Sequence, residues 1–176
     1  MQSGVGSAFN PGSQVGPELE VELISDHARI GGSINLGAYT RLSDLLSFHD
    51  EILTVTDGVI LTRTGRETAD GAPQLDVHLE ELTLVIDRSN YVPPPDIGQA
   101  IEKTAHRMLA VTAAHIITAT FFIYPSAEPI SYLRAKEPPW VPVANVRVRS
   151  LVDRRIRYGA DFAVLYRNAV LATSVL

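Results

Sequence analysis

The stretch ILTVTDGVILT, residues 52–62, decides the fold because a related stretch, WVPVANVRVRS, follows 88 positions later at residues 140–150. Apolar residues recur at every second position over much of both stretches, which is typical of a β-strand with one buried face. Asp57-Gly58 interrupts the first stretch and Asn145-Val146 the second. Asp-Gly usually marks a hairpin turn, but valine does not readily adopt the positive φ that such a turn requires. The two stretches therefore predict long strands that each contain a bulge.

The similarity extends to two further blocks in the same order. Residues 21–37 match residues 108–125, with Ile30 against Ile117 and Leu36 against Ile123. Downstream, residues 82–88 match residues 162–168 at a shorter offset of about 80. A repeat of this length predicts two small domains rather than a solenoid. Because domains of this size bury little surface, we expect the two halves to dock against each other.

Composition sets the predicted domain boundaries. Residues 1–18 are rich in Gly, Ser and Gln and predict a flexible tail. Residues 19–92 and 108–176 are predicted to form two repeated small β-barrels, and residues 93–107 are predicted to form a linker that contains a helix. That helix begins at Asp96 as its cap and places four apolar residues on one side, Ile97, Ile101, Ala105 and Met108.

Two shorter segments complete the predicted unit. Leu42, Leu45 and Leu46 have helical spacing and predict a short helix, which is echoed at Tyr132 and Leu133. We expect these apolar side chains to close the open end of a barrel. The polar segment GRETADGAP, residues 65–73, predicts a surface loop.

The repeated unit has an opening pair of strands with Gly31-Gly32, a short RLSDLL turn, a strand of the form F-x-P-V-T-D-A and a closing strand. This arrangement resembles an uncharacterised family of small bacterial β-barrels and is similar to Sm-like and SH3-like barrels. The first copy has Thr54 in place of the proline, and the second has Ala144-Asn145 in place of Thr-Asp. The resemblance implies a mainly β fold of two pseudo-repeated small barrels joined by a helix, with oligomeric rings or RNA contact.

Charge is distributed unequally between the halves. Residues 19–92 contain 5 basic and 13 acidic residues, a balance of −8, whereas residues 108–176 contain 8 and 4, a balance of +4. This asymmetry favours association of the halves or of neighbouring molecules. Five of the eight basic residues of the second half lie close together along the chain, and these are Arg147, Arg149, Arg154, Arg155 and Arg157. They predict either a nucleic-acid surface or pairing with the acidic first half, although a pI near 5.5 disfavours nucleic acid.

The segment AVTAAHIITATFFIY, residues 110–124, carries apolar residues on both faces of a predicted strand. Burial on both sides is the usual reason for such a pattern. The strand is therefore expected at the junction of the two barrels or in a subunit interface. The candidate interface residues are Ile117, Phe121, Phe122 and Ile123.

No residue pattern indicates catalysis, a cofactor, a metal or a small-molecule ligand. Ser43, Asp44 and His49 lie too close together along the chain to build a nucleophile, a base and an orienting group. The five histidines lack metal-binding spacing, and the chain contains no cysteine. The expected function is a non-catalytic structural or protein-interaction module, as a homo-oligomer or accessory subunit. An Sm-like RNA-binding protein and a subunit of an enzyme remain the alternatives.

The first 16 residues have neither the basic nor the apolar region of a secretory signal. The apolar runs are too short to span a bilayer. These features lead us to expect a cytoplasmic protein without a membrane span.

Overall fold

A computed structural model describes residues 16–48, 51–61, 67–89, 91–94, 102–135 and 137–176, with the backbone alone at 67–69. The predicted tail falls outside the described residues up to position 15, and its last residue, Glu18, begins the first strand. The mainly β fold is confirmed, because within these ranges ten antiparallel strands form one sheet beside two short helices. No helix in the described ranges has the length and apolar composition of a membrane span.

The first half of the chain contributes five strands and one helix. In chain order they are β1 (Glu18–Ser25), β2 (Arg29–Asn35), α1 (Leu42–Phe48), β3 (Ile52–Leu61), β4 (Glu67–His78) and β5 (Leu82–Asp87). Their spatial order in the sheet is β5-β1-β2-β3-β4, so the last strand pairs with the first.

The second half has the same sequence of elements. They are β6 (Thr104–Val111), β7 (His115–Ile123), α2 (Pro129–Arg134), β8 (Trp140–Ser150), β9 (Arg157–Tyr166) and β10 (Ala172–Val175). Their spatial order is β10-β6-β7-β8-β9, which is the order of the first half. Both halves also place one turn of 3-10 helix before their last strand, at Leu79–Glu81 and Arg167–Ala169.

The predicted bulges are confirmed in both central strands. Two residues of β3, 57 and 58, face one residue of β2, and two residues of β8, 145 and 146, face one residue of β7. Asp57 has φ 49° and Asn145 has φ 52°. Asp and Asn tolerate this left-handed conformation better than most residues, which explains why they stand at the bulge.

The ten strands form one open sheet instead of two closed barrels. β5 pairs with β1 on one side and with β9 on the other. The edge of β5 that could close the first unit is therefore occupied by the second half. We refer to this β5–β9 pairing and the side chains around it as the internal joint.

The internal joint also corrects the third sequence match. Residues 82–88 contain β5, and residues 162–168 contain the second half of β9. These two strands pair with each other, so they are neighbours in the sheet and not equivalent strands of the two halves. In the strand order, the equivalent of β5 is β10 and the equivalent of β9 is β4. Their similar composition follows from shared burial, because both strands lie in the middle of the ten-stranded sheet.

The halves dock as expected, and each lends side chains to the core of the other. Trp140 and Val164 of the second half lie in the core of the first, beside Leu42, Leu45 and Leu46 of α1. In the opposite direction, three residues of the first half lie in the second core, Ile24, Leu84 and Ile86. Each small core is thereby enlarged.

The predicted loop at residues 65–73 is wrong from residue 67 onward, where β4 begins. β4 is the outermost strand and pairs with β3 alone among the described strands. Between residues 70 and 78, Val77 is the one buried side chain. An edge strand held by backbone pairing needs no alternation of apolar residues, so polar composition suggested a loop.

The predicted linker helix is wrong at its carboxyl end, because Ala105 and Met108 lie in β6. Residues 95–101, which include Asp96, Ile97 and Ile101, lie outside the described residues. Met108 and Ala110 are both fully buried while Leu109 between them is partly exposed. Residues three positions apart share a face of a helix but lie on opposite faces of a strand, and in β6 Ala105 is exposed while Met108 is buried.

Among the described strands, the apolar segment at residues 110–124 takes no part in the strand pairing that joins the halves. β7 pairs with β6 and β8 inside the second half, whereas the junction is made by β5 and β9. Its burial alternates along the strand, with partly exposed positions such as Ile116 between buried ones. Its apolar content therefore reflects the core of the second half.

Candidate functional site

The internal joint brings three residue pairs of β5 and β9 together, and all six side chains are buried. The pairs are Leu84 with Leu165, Val85 with Val164, and Ile86 with Ala163. Side chains of adjacent residues point to opposite faces of a sheet. Accordingly, Val85 and Val164 enter the first core, while the other four enter the second.

A buried carboxylate lies beside this apolar contact. Glu22 of β1 is only 7% exposed, and Arg29 of β2 donates to its Oε1. Arg88, which follows β5, donates to Glu22 Oε2 from Nη2 at 2.8 Å and from Nε at 3.2 Å. Arg88 Nη1 also donates to the carbonyl of Gly159 in β9 at 3.2 Å. Glu22 thus holds two guanidinium groups, one of which reaches across to the second half.

Arg29 makes a second contact across the joint. Its guanidinium carbon lies 4.3 Å from the centre of the Tyr158 ring, a cation–π distance. Burial raises the pKa of Tyr158 to about 12, and the positive charge of Arg29 opposes that rise. Burial also lowers the pKa of Arg29, against the attraction of Tyr158. The cluster is therefore a positively charged group packed on a neutral phenol.

His115 completes the cluster from the start of β7. Its Nδ1 lies 3.9 Å from Asp26 Oδ1, and its ring meets the Tyr158 ring edge-on at 6.4 Å between centres. Burial lowers the pKa of His115, Asp26 opposes this change, and Arg29 adds to it. We call Glu22, Asp26, Arg29, Arg88, His115 and Tyr158 the joint cluster.

The cavity beside the joint cluster is too small for a substrate. It measures about 20 Å³ and is lined by residues of both halves, including Asp26, Arg29, His115 and Tyr158. That volume holds about one water molecule, whereas small-molecule sites usually measure about 300–1,000 Å³. This geometry is suited to fixing the two halves together.

A groove of ligand size, about 500 Å³, lies elsewhere along the joint between Leu19, Arg88, Tyr91 and Phe162. Two polar groups that line it bind a neighbouring side chain or the nearby backbone. Ser89 Oγ donates to Asp87 Oδ1 at 2.6 Å, and the Tyr91 hydroxyl donates to the carbonyl of Thr40 at 3.2 Å. These contacts fix the chain as it leaves β5.

The five predicted arginines all have exposed side chains and divide into two groups. Arg147 and Arg149 lie two residues apart on one face of β8, and Arg157 of β9 is directly opposite Arg149. Arg155 instead forms an ion pair with Asp153 at 3.2 Å, and Arg154 accepts a bond from Arg157 through its carbonyl.

Pairing of these arginines with the acidic half is not seen. In the described part of the chain, none of the five contacts a carboxylate of the first half. The charges that join the halves are instead in the joint cluster, where Arg29 and Arg88 belong to the acidic half itself.

Three of the four predicted interface residues belong to the second core. Ile117, Phe121 and Ile123 are at most 1% exposed, whereas Phe122 is 41% exposed on the other face of β7. Of these four residues, only Phe122 is therefore accessible to another molecule.

The histidines show no metal site within the described residues, where no group of three or more ligating side chains occurs. His49 lies outside the described residues. His115 is the histidine that takes part in the joint cluster, and its partners come from three separate strands or turns.

Sequence reasoning did not find the joint cluster. The alternation of Leu19, Val21 and Leu23 places Glu22 on the polar face of a strand. In the fold, Arg29 and Arg88 cover this carboxylate. A signal was present, because Glu22 and Arg29 stand on the two strands of one predicted hairpin. In comparisons with known proteins, no protein-family model, curated protein or solved structure matches the chain.

Proposed function

We propose that this chain is a non-catalytic structural module that binds proteins through the edges of its sheet. The internal joint is the observation that carries the proposal. There, two five-stranded units bind edge to edge, with backbone pairing of β5 to β9 and exchange of core side chains such as Trp140. Strand addition of this kind gives affinity through the backbone and specificity through side-chain pockets.

The joint cluster supports a structural role for the buried charges. Both carboxylate oxygens of Glu22 accept bonds from arginines. Arg29 packs on Tyr158, and Arg88 binds the backbone of β9. A buried charge is costly unless it is paired, and here the paired groups connect the halves. The charges of Glu22, Arg29 and Arg88 therefore hold the two halves together.

We further propose that the halves arose by tandem duplication of a small unit related to Sm-like and SH3-like barrels. The matching strand orders and the bulges at Asp57 and Asn145 support this origin. So does a recurring backbone bond. Arg88 N donates to Glu20 O at 2.8 Å, and Leu176 N donates to Arg107 O at 2.9 Å, 88 and 87 positions later.

The proposal is tested by asking whether protein partners depend on a sheet edge. Ile52 of β3, next to the edge strand β4, is 43% exposed, and Phe122 on the face of β7 is 41% exposed. The wild-type chain, Ile52→Lys and Phe122→Lys serve as baits in an extract of the native organism. We expect partners that Ile52→Lys loses and Phe122→Lys keeps.

The captured partner should also slow amide hydrogen exchange in β4 or β10. Partners retained by Ile52→Lys, with no protection of either edge strand, would contradict binding through the sheet edge. This readout separates edge pairing from adhesion to any exposed apolar side chain.

An RNA-binding function is the second candidate, and the placement of Arg147, Arg149 and Arg157 favours it. These exposed cations share one region of β8 and β9, and no carboxylate within the described residues pairs with them. Like charges facing each other across a ladder are unfavourable, and phosphate would relieve that repulsion.

RNA binding is tested with a labelled single-stranded RNA at several salt concentrations. If this candidate is correct, the affinity falls steeply with salt and is lost in the triple variant Arg147→Glu, Arg149→Glu, Arg157→Glu. Arg155→Glu is the matched control, because Arg155 already pairs with Asp153. Absence of binding at low salt would remove the candidate.

A further inference from the structure

The outer strands of the sheet have the same positions in their halves as the strands of the internal joint. β4 is the fourth strand of the first half as β9 is of the second, and β10 is the fifth strand as β5 is. Among the described strands, β4 pairs with β3 alone and β10 with β6 alone. The outer strands β10 and β4 therefore correspond to the two strands that pair in the internal joint, β5 and β9.

We infer that copies of this chain associate head to tail, with β10 of one molecule beside β4 of the next in the register of the internal joint. This inference rests on the proposed function and names the partner as a second copy.

The ladders inside each half fix the register of the new contact. Val164 in β9 and Asp76 in β4 are 88 positions apart and face equivalent residues of the neighbouring strands β8 and β3. Asp76 therefore has the place of Val164. By the same comparison, Thr173 of β10 has the place of Val85 in β5. Since Val85 faces Val164 in the internal joint, Thr173 of one copy faces Asp76 of the next. A threonine hydroxyl can donate to that carboxylate.

An apolar anchor and its receiving groove have matching positions. At the internal joint Trp140, the first residue of β8, is 2% exposed and packs in the core beside α1. Its equivalent Ile52, the first residue of β3, is 43% exposed. The groove between α2 and β10 measures about 560 Å³ and includes Leu133, Val170 and Leu171. In the head-to-tail contact Ile52 enters this groove, as Trp140 enters the first core.

The charges of the two halves favour the same pairing. The surface with β4 belongs to the half with a balance of −8, and the surface with β10 belongs to the half with a balance of +4. Arg134 lines the groove on the basic side. Opposite charge brings unlike edges together and disfavours contact between two β4 edges. A head-to-tail contact of this kind produces a ring if the rotation closes and a filament if it does not.

Cysteine cross-linking tests the register, because the chain contains no cysteine of its own. Asp76→Cys and Thr173→Cys are prepared as separate proteins, mixed and oxidised. Directly opposed residues of an antiparallel pair lie at a separation that a disulfide can bridge. We expect a cross-linked dimer in the mixture and none in either protein alone. A mixture of Asp76→Cys with Phe122→Cys is the control.

Two cross-linking results would overturn the inference. Equal linkage in either single-variant sample would show a symmetric contact, and failure of the mixture to link above the Phe122→Cys control would show that the edges do not meet.

Sedimentation velocity provides an independent measurement on the unmodified edges. The wild type should form species at multiples of the 19.2 kDa monomer as its concentration rises. Ile52→Lys should reduce this protein to monomer, while Phe122→Lys leaves the assembly intact. A wild type that stays monomeric overturns the inference, and edge-dependent capture of another protein would then still support the proposed function. Assembly that survives Ile52→Lys also overturns it.

Discussion

The internal joint and the outer edges of this sheet use equivalent strand positions with different side chains. Trp140, Val85 and Val164 bury a continuous apolar contact at the joint, whereas Ile52, Thr173 and Asp76 occupy those places at the edges. A second set of positions differs in the opposite sense, because the joint has charged residues where the edge has apolar ones. Glu22, Arg29 and Arg88 clamp the joint, while their equivalents at β10 are apolar, Leu109, Ile116 and Leu176.

This difference teaches how one strand pairing can be made permanent or reversible. A contact within a chain can bury tryptophan and paired charges, because its partner is always present. An exposed edge must remain soluble when unpaired, and polar residues on edge strands limit unwanted pairing. The comparison predicts that equivalent substitutions have large effects at the joint and small ones at the edges.

Replacing Trp140 should produce the largest effect. Trp140→Ala removes a fully buried aromatic side chain from the core and should lower the free energy of unfolding by about 4 kcal/mol. Ile52→Ala, at the equivalent exposed position, should change it by less than about 0.5 kcal/mol. Chemical denaturation of the two variants at low protein concentration measures both. Similar losses would show that the positions are not distinct in the monomer.

Removing the central carboxylate should produce the next largest effect. Glu22→Gln leaves Arg29 and Arg88 without their counter-charge and should lower the free energy of unfolding by about 3 kcal/mol. Glu20→Gln is the matched control, because Glu20 lies two residues earlier in β1 and is exposed. Equal stability of the two variants would show that the clamp is dispensable.

Tyr158 should make the joint sensitive to alkali. Its pKa is about 12 in the folded chain and 10.0 in the unfolded chain, so its stabilising contribution is complete below pH 10 and is lost as pH rises to 12. The loss is of order 2 kcal/mol. Unfolding curves of the wild type and Tyr158→Phe between pH 9 and 11 should therefore diverge, with the wild type falling faster. Parallel curves would contradict a buried phenol at the joint.

His115 should produce a smaller effect at mildly acidic pH. Burial lowers its pKa below the ordinary 6.5. Its stabilising contribution is therefore complete above pH 6.5 and is lost as pH falls through the lower folded value. The thermal midpoint of the wild type should fall more between pH 7 and 5 than that of His115→Gln. An identical decline in both proteins would remove His115 as the cause.

Several elements of the fold could be predicted from the chain, because they depend on local patterns. The bulge at Asp57 and Asn145 follows from residue types that tolerate positive φ. The short helix at residues 42–48 follows from the spacing of its leucines. The starts of β4 and β6 were missed, because edge pairing and a short alternation leave little local signal.

The joint cluster could not be predicted in the same way. Glu22, Arg88 and Tyr158 come from β1, the end of β5 and β9, and they meet only when the two halves share a sheet. No spacing in the sequence specifies which strand edge will pair with which.

The sequence by itself determined that each half contains a short helix and a strand with a bulge, since helical spacing and bulge residues act over a few neighbouring positions. Only the tertiary structure decided that the units join through β5 and β9 into one open sheet. That choice depends on strand pairing between residues far apart in the chain. It also depends on the burial of Trp140 in the core of the other half and on the pairing of Glu22 with neighbouring arginines. These energies arise between residues far apart in the chain, so no local pattern records them.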